Sequence, residues 1–318
     1  MIAILQPEFL KRLLKCKSIL LAGAGGGFDI FCALPLFFAL REAGLTVNLA
    51  SFSFSFRHGN VSGRKFGENL VEVTTRSTGN EYYFPEGYLT KWLARKNMNH
   101  SIYCFKPGPP SELLESYKLL QKHLEFDCIV LVDGGVDSIL CGDESEIGTP
   151  LEDMSSLAAI KELDVPEKQL LCLGYSAETD VNNAHALETI AALIKSKAYL
   201  GSLGLSLDMP EVKLFAEATE FTFFEMRGYE SVICSSVLAA LDGNFGDHHR
   251  TRRTVGSKLW INPLMMFYWA FDAMKVADSV QYLPQVADAL TIDDVSKAIR
   301  EYRAKASIRE KSEFPLNS

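Results

Sequence analysis

The sequence has no surplus of positive charge. It carries 32 Lys and Arg against 40 Asp and Glu, a formal net charge of −8. A general nucleic-acid binder needs a basic face to displace counterions from phosphates, so no nucleic-acid partner is expected. The one basic run, His248–His249–Arg250–Thr251–Arg252–Arg253, is short and isolated. No C-x-x-C pair occurs among the seven cysteines, and Cys104, Cys128 and Cys172 sit in apolar runs where a thiol acts as a small hydrophobe, so reduced structural cysteines are expected. No long apolar stretch is unbroken: Ile19–Leu40 is interrupted by glycines, Asp29 and Pro35, which speaks against a membrane span. Met1–Leu5 is apolar but too short for a leader and runs into Gln6, Pro7 and Glu8. A cytoplasmic location follows as the expectation. Also missing are a Gly-Lys-Ser/Thr phosphate loop, a G-x-S-x-G elbow, and any Ser-His-Asp or Cys-His set recognisable by motif.

What is present is an alternation of short Val/Ile/Leu runs with stretches of helical period, the mark of βαβ units. Strands are expected at Ile19–Ala22, Leu45–Ala50, Ile102–Phe105, Cys128–Val132 and Leu170–Leu173. Their unbroken apolarity suits strands covered by helices on both faces. The fold class is therefore α/β: a doubly wound, mostly parallel sheet with helices on both faces. A single domain is expected, with an irregular insertion at about 52–110, where a lid and a mere decoration are both open. A mainly helical part follows from about 208, and disorder is expected only in the tail at about 307–318.

Helix ends are readable too. Gly44 fits the cap after a helix running from the glycine turn to about Ala43. Thr149, Pro150 and Glu152 fit a capping box, as do Thr291 and Asp294, and Asn262–Pro263 repeats the cap-then-proline signal. Leu113, Tyr117, Leu120 and Leu124 mark one apolar face, and Leu187, Ile190, Ala191 and Ile194 another. Leu264–Phe271 is apolar all round, which predicts a helix buried in the core or against a second copy of the chain, hence a possible homo-oligomer.

The densest local signal is Gly23–Ala24–Gly25–Gly26–Gly27–Phe28–Asp29 after the first strand. Glycines there let backbone approach a ligand, and free amides at a helix start favour anions, so Gly23, Gly25, Gly26, Gly27 and Asp29 are candidate ligand-binding residues. The alternative is that the glycines serve only tight strand–helix packing. Phe28 stands where a dinucleotide fingerprint needs its third glycine, and the second strand runs into Ser51, Phe52 and Ser53 with no acid for a ribose. NAD is therefore not expected. The second signal, Asp133–Gly134–Gly135–Val136–Asp137, ends the fourth strand. In a doubly wound sheet the first and fourth strands commonly flank the crevice at the carboxyl edge, which would bring the two motifs face to face. Gly134, Gly135 and Thr149 join the ligand-binding candidates. Carboxylates with open positions suit Mg²⁺ held together with ligand phosphates, and Asp133 and Asp137 are the best metal candidates. Asp143, Glu144, Glu146 and Asp153 are further carboxylates that could serve a metal; the alternatives are a solvated loop for the first three and a favourable dipole interaction for Asp153 in the first turn of its helix. A third cluster, Asp242–Arg250, brings acid next to histidine, so Asp133, Asp247 and His248 are the candidate catalytic residues.

At Gly23–Asp29, Asp133–Asp137 and the stretch from Gly142–Asp143–Glu144 through Gly148–Thr149–Pro150–Leu151–Glu152–Asp153, the chain resembles an uncharacterised family, domain of unknown function 1152. The resemblance covers about residues 15–200. It implies a Rossmann-like α/β fold with sites at these loops, and no particular activity. Where related sequences continue with a further glycine-rich acidic loop after the fifth strand, this chain has Gly174–Tyr175–Ser176–Ala177–Glu178–Thr179–Asp180. Three functions stay open: a Mg²⁺-dependent transferase or hydrolase acting on a small anionic, phosphorylated or nucleotide-like molecule, a non-catalytic sensor using the same crevice, and an atypical NAD(P)-dependent oxidoreductase.

Overall fold

A computed structural model describes residues 6–313. Met1–Leu5, on which the expectation about a leader rests, lie outside the described residues. Nine strands form one mixed sheet: β1 (Ser18–Gly26), β2 (Thr46–Phe52), β3 (Arg64–Lys65), β4 (Leu70–Val73), β5 (Ile102–Phe105), β6 (Cys128–Gly134), β7 (Glu167–Leu173), β8 (Tyr199–Gly204) and β9 (Phe267–Asp272). Their spatial order is β3-β4-β5-β2-β1-β6-β7-β9-β8. The central five, β5-β2-β1-β6-β7, are mutually parallel, whereas β3, β4 and β9 pair antiparallel with their neighbours. This is the doubly wound, Rossmann-like α/β arrangement, extended by antiparallel strands at both edges. All five strands expected from the sequence are present.

Period-two alternation divides the apolar residues between two cores. Leu20, Ala22, Phe52, Ile129, Leu131 and Leu170 face one side, under helices that include Pro110–Leu124, Leu151–Lys161 and Ile292–Arg303. Ile19, Leu21, Leu49, Val130, Val132 and Leu171 face the other, under Leu34–Glu42, Pro85–Arg95, Pro210–Glu225 and Val232–Leu241. With helices on both faces, a ligand can reach the sheet only at an edge.

The insertion contains the short helix that the sequence predicts at Tyr88–Arg95. It adds the β3–β4 hairpin to the sheet edge and the helix Pro85–Arg95 to one face. Five expectations need correction. The segment Leu264–Phe271 forms no α-helix. A short 3-10 turn, Pro263–Met266, leads into β9, which lies between β7 and β8 with Tyr268, Ala270 and Phe271 fully buried. Its all-round apolarity is that of an interior strand covered on both faces, a pattern indistinguishable from a buried helix by periodicity. Thr149 caps no helix. The helix Leu151–Lys161 starts from Pro150 without a side-chain cap, and the Thr149 amide donates instead to Asp137 Oδ2 at 3.0 Å. On the helix Asn183–Lys195 the buried positions are Ala184, His185, Ala186, Thr189, Ile190 and Leu193, so Ile190 is buried as expected while Ala191 and Ile194 face solvent. Glu144 is not solvated: buried, it accepts from the Cys141 and Gly142 amides and the Thr189 hydroxyl at 2.7–3.1 Å. Nor is the start of the tail loose. Arg309 pairs with Asp143, Glu144 and Glu188, and the Ser312 carbonyl accepts from Asn182; residues 314–318 lie outside the described residues.

The Thr291–Asp294 capping box forms as expected, and Asn262 caps its turn by accepting from the Leu264 amide. Among the described residues no helix is long and apolar enough to cross a membrane, and no disulfide is formed.

Candidate functional site

β1 leads to β2 on one side and β6 lies on its other side, so the chain order reverses between β1 and β6. Gly23 pairs in register with Val132, which brings the ends of both strands to one rim. There they open a crevice of about 530 Å³ lined by Gly25, Gly26, Gly27, Asp29, Asp133, Gly134, Asp137, Thr149 and Asp153, together with Glu178 and Asp180 from the loop after β7. The two sequence motifs face each other across it, as the strand order requires.

The glycines stand close to the protein's own side chains. The Gly25 amide is not open to a ligand, because it donates to Asp29 Oδ2 at 2.8 Å. A Cβ on Gly25 would stand 2.8 Å from both Asp29 Oδ2 and Asp153 Oδ2. One on Gly134 would stand 2.7 Å from Asp29 Oδ1, and one on Gly135 2.4 Å from Glu178 Oε2. These glycines make room for the protein's own carboxylates. Gly26 is covered by the Phe54 ring. Two candidates lie outside the crevice: Gly23 is buried within β1, and Gly135 sits behind Glu178 with its amide donated to the Leu173 carbonyl at 3.0 Å.

The carboxylates are held unequally. Asp133 Oδ2 accepts the Ser138 amide, the Ser138 hydroxyl and the Cys172 thiol. Asp137 takes the Thr149 amide, and Glu178 takes the Val136 amide at 2.8 Å. Among the described residues the Asp153 Oδ1 is buried without a hydrogen-bond partner. Oxygens of Asp29, Asp133 and Asp153 all lie within 4.8 Å of one another. Burial raises the carboxyl of Asp133 to about 6, against the pull of its Ser138 and Cys172 hydrogen bonds. Burial, and then the charges of the neighbouring acids, raise Asp29, Asp137, Asp153 and Glu178 well above the usual carboxylate range. Burial and mutual repulsion both work against ionising the whole group at once.

Oxygen donors alone, with one carboxylate oxygen left orphaned, fit a hard divalent ion such as Mg²⁺. Asp29, Asp133 and Asp153 are the residues that could hold such an ion.

The opposite wall is aromatic. His58 stacks on Tyr83 at 4.4 Å between ring centroids, and Tyr229 packs edge-on to both. Arg253 stands beside them, with Nη1 donating to the Glu230 carbonyl at 2.8 Å.

Asp247 and His248 do not reach this crevice. Asp247 lines a separate depression with Lys258 and Trp260, accepts the Leu259 amide at 2.8 Å and lies 3.3 Å from His249 Nε2. The antiparallel bridge of Gly246 with Ile261 holds the loop there.

A family model described as a protein of unknown function, DUF1152, matches residues 64–310. The chain belongs to that family. The match reaches much further towards the carboxyl end than the resemblance at 15–200, and it leaves out Gly23–Asp29. No curated protein and no solved structure matches the chain.

This family member thus draws its crevice from more residues than its motifs advertise. Asp153 lies in the first turn of Leu151–Lys161, and a helix that follows a long loop after β6 must begin at the same rim. Glu178 sits in the expected post-strand loop but without the glycines that would have flagged it. His58, Tyr83, Tyr229 and Arg253 come from scattered loops, and no local pattern marks them.

Proposed function

We propose that the crevice binds Mg²⁺ through Asp29, Asp133 and Asp153, and that the ion and Arg253 together hold the phosphate of a small phosphorylated molecule for transfer or hydrolysis. The observation that carries this reading is Asp153, whose Oδ1 is buried and unpartnered within 4.8 Å of two other carboxylates. An uncompensated buried carboxylate costs several kcal/mol unless it is protonated or meets a cation.

A bound divalent ion supplies charge stabilisation for phosphoryl oxygens and an acidified water. The protein's residues supply the rest. Asp29 orients through the Gly25 amide, and Ser138 fixes Asp133, so two of the three ligands are set before an ion arrives. Glu178 and Asp137 remain to hold or accept a proton beside the phosphate, since burial and the neighbouring acids favour their protonated forms. The Gly25 amide has no part in phosphate binding, which shifts that work to the cation and Arg253. Asp247 and His248 lie outside the reacting centre.

Thermal shift with Mg²⁺, with nucleotides and sugar phosphates, and with both together tests this reading. The expected result is stabilisation by Mg²⁺ that grows with its concentration, grows again with a phosphorylated ligand, and vanishes in Asp153→Asn. Ligand binding without turnover would assign the same crevice to a sensor. Stabilisation by NAD(H) without Mg²⁺ would replace the reading with an atypical dinucleotide site.

A further inference from the structure

We infer that the phosphorylated ligand is a nucleoside phosphate, its base stacked on the His58–Tyr83–Tyr229 wall and its phosphates directed to the carboxylate floor. This rests on the cation-and-phosphate reading above.

The two walls of the crevice are chemically opposite. Carboxylates of Asp29, Asp133 and Asp153 occupy one, and three mutually packed rings occupy the other. The walls meet at the glycine turn: the Tyr83 hydroxyl lies 3.2 Å from where a Cβ of Gly27 would stand. Tyr83 is buried and anchors the group, with one ring face covered by His58. Tyr229 stays 37% exposed and His58 is exposed, so ring surface remains available to a ligand at the mouth. Solvent-facing rings packed on one another beside a polar floor form a stacking platform that tolerates any base, because every base has a π-face. A sugar phosphate lacks a ring of that kind and would leave this wall uncovered. Arg253 stands on the aromatic side and matches a phosphate oxygen fork. About 530 Å³ is an ordinary volume for a ligand of nucleotide size.

Calorimetric titration in Mg²⁺ with ADP, pyrophosphate and ribose 5-phosphate separates these possibilities. ADP is expected to bind at least about tenfold tighter than either fragment, and Tyr229→Ala to erase about tenfold of that with pyrophosphate unchanged. Tyr229→Phe should keep ADP affinity, which guards against a folding artefact. Equal affinity for pyrophosphate or ribose 5-phosphate, an equal loss for ADP and pyrophosphate in Tyr229→Ala, or no binding of any probe would overturn the inference. Melting with Mg²⁺ alone tells the two failures apart. A Mg²⁺ shift without ADP preference removes only the nucleoside, whereas no Mg²⁺ shift removes the cation reading beneath it.

Discussion

The crevice and the Asp242–Arg250 loop look alike in sequence, each a short run of glycine, acid and turn residues. In three dimensions they differ in one respect. In the loop, Arg250 pairs with Asp242 and Glu220, Asp247 takes the Leu259 amide, and His249 meets Thr254. In the crevice, acids from four separate segments converge, and among the described residues Asp153 Oδ1 is buried without a hydrogen-bond partner. The comparison teaches that a titratable cluster gains chemical meaning from what is left unsatisfied, not from its density along the chain.

The sharpest way to break this comparison is Asp153→Asn. Mg²⁺ affinity should fall by at least about 100-fold, the upper end of what indirect changes around a metal cost. The cation-free variant should melt about 2 °C higher near pH 8, through about 1 kcal/mol of relieved repulsion. Titration calorimetry and melting in chelator check both halves, and an unchanged Mg²⁺ affinity would equate the crevice with the loop.

A second test uses pH. A folded carboxyl that keeps its proton to about 6, against 3.8 when unfolded, stabilises the protein below pH 4 and loses that contribution as pH rises through 6. In chelator the crevice should therefore cost stability between about pH 4 and 6, on the order of 1–3 kcal/mol, and further loss should follow above it as the other raised acids ionise. Mg²⁺ should reverse this, so its stabilising shift must grow with pH. A shift that shrinks from pH 5 to pH 8 would contradict the assignment.

Gly25→Ala comes next. The added methyl crowds Asp29 and Asp153 at 2.8 Å, and because both are flexible ends the fold should survive. Mg²⁺ affinity should drop about tenfold, the scale on which displaced ligand geometry is felt. The smallest effect belongs to the other region. Asp247→Asn and His248→Ala should leave Mg²⁺ and phosphate binding unchanged and cost at most about 1 kcal/mol of stability, from the weakened bond to the Leu259 amide. A large loss of binding in either variant would return that loop to the site.

Much of the frame was legible in the chain. β1, β2, β5, β6 and β7 announced themselves because strands buried on both faces must be apolar throughout, and the Thr291 cap because its partners are three residues apart. The same two-sided burial hid β9, whose residues Phe267–Asp272 carry no period to separate strand from helix. Thr149 misled because its helix start is governed by Asp137, twelve residues back, which takes the backbone amide a cap would have freed. In the site, Asp29, Asp133 and Asp137 were readable as residues at the carboxyl edge. The role of the glycines was not, since what lies beside each one is set by other segments.

The chain alone determined an alternating α/β architecture and the rim at which a site would open, because those follow from local periodicity and the handed packing of helices on a sheet. Only the folded protein decided that Gly25 and Gly134 stand against acids, that Asp153 and Glu178 join the crevice, and that Asp247 stays apart. Those outcomes depend on distances between segments far apart in sequence, and no local pattern carries a distance of that kind.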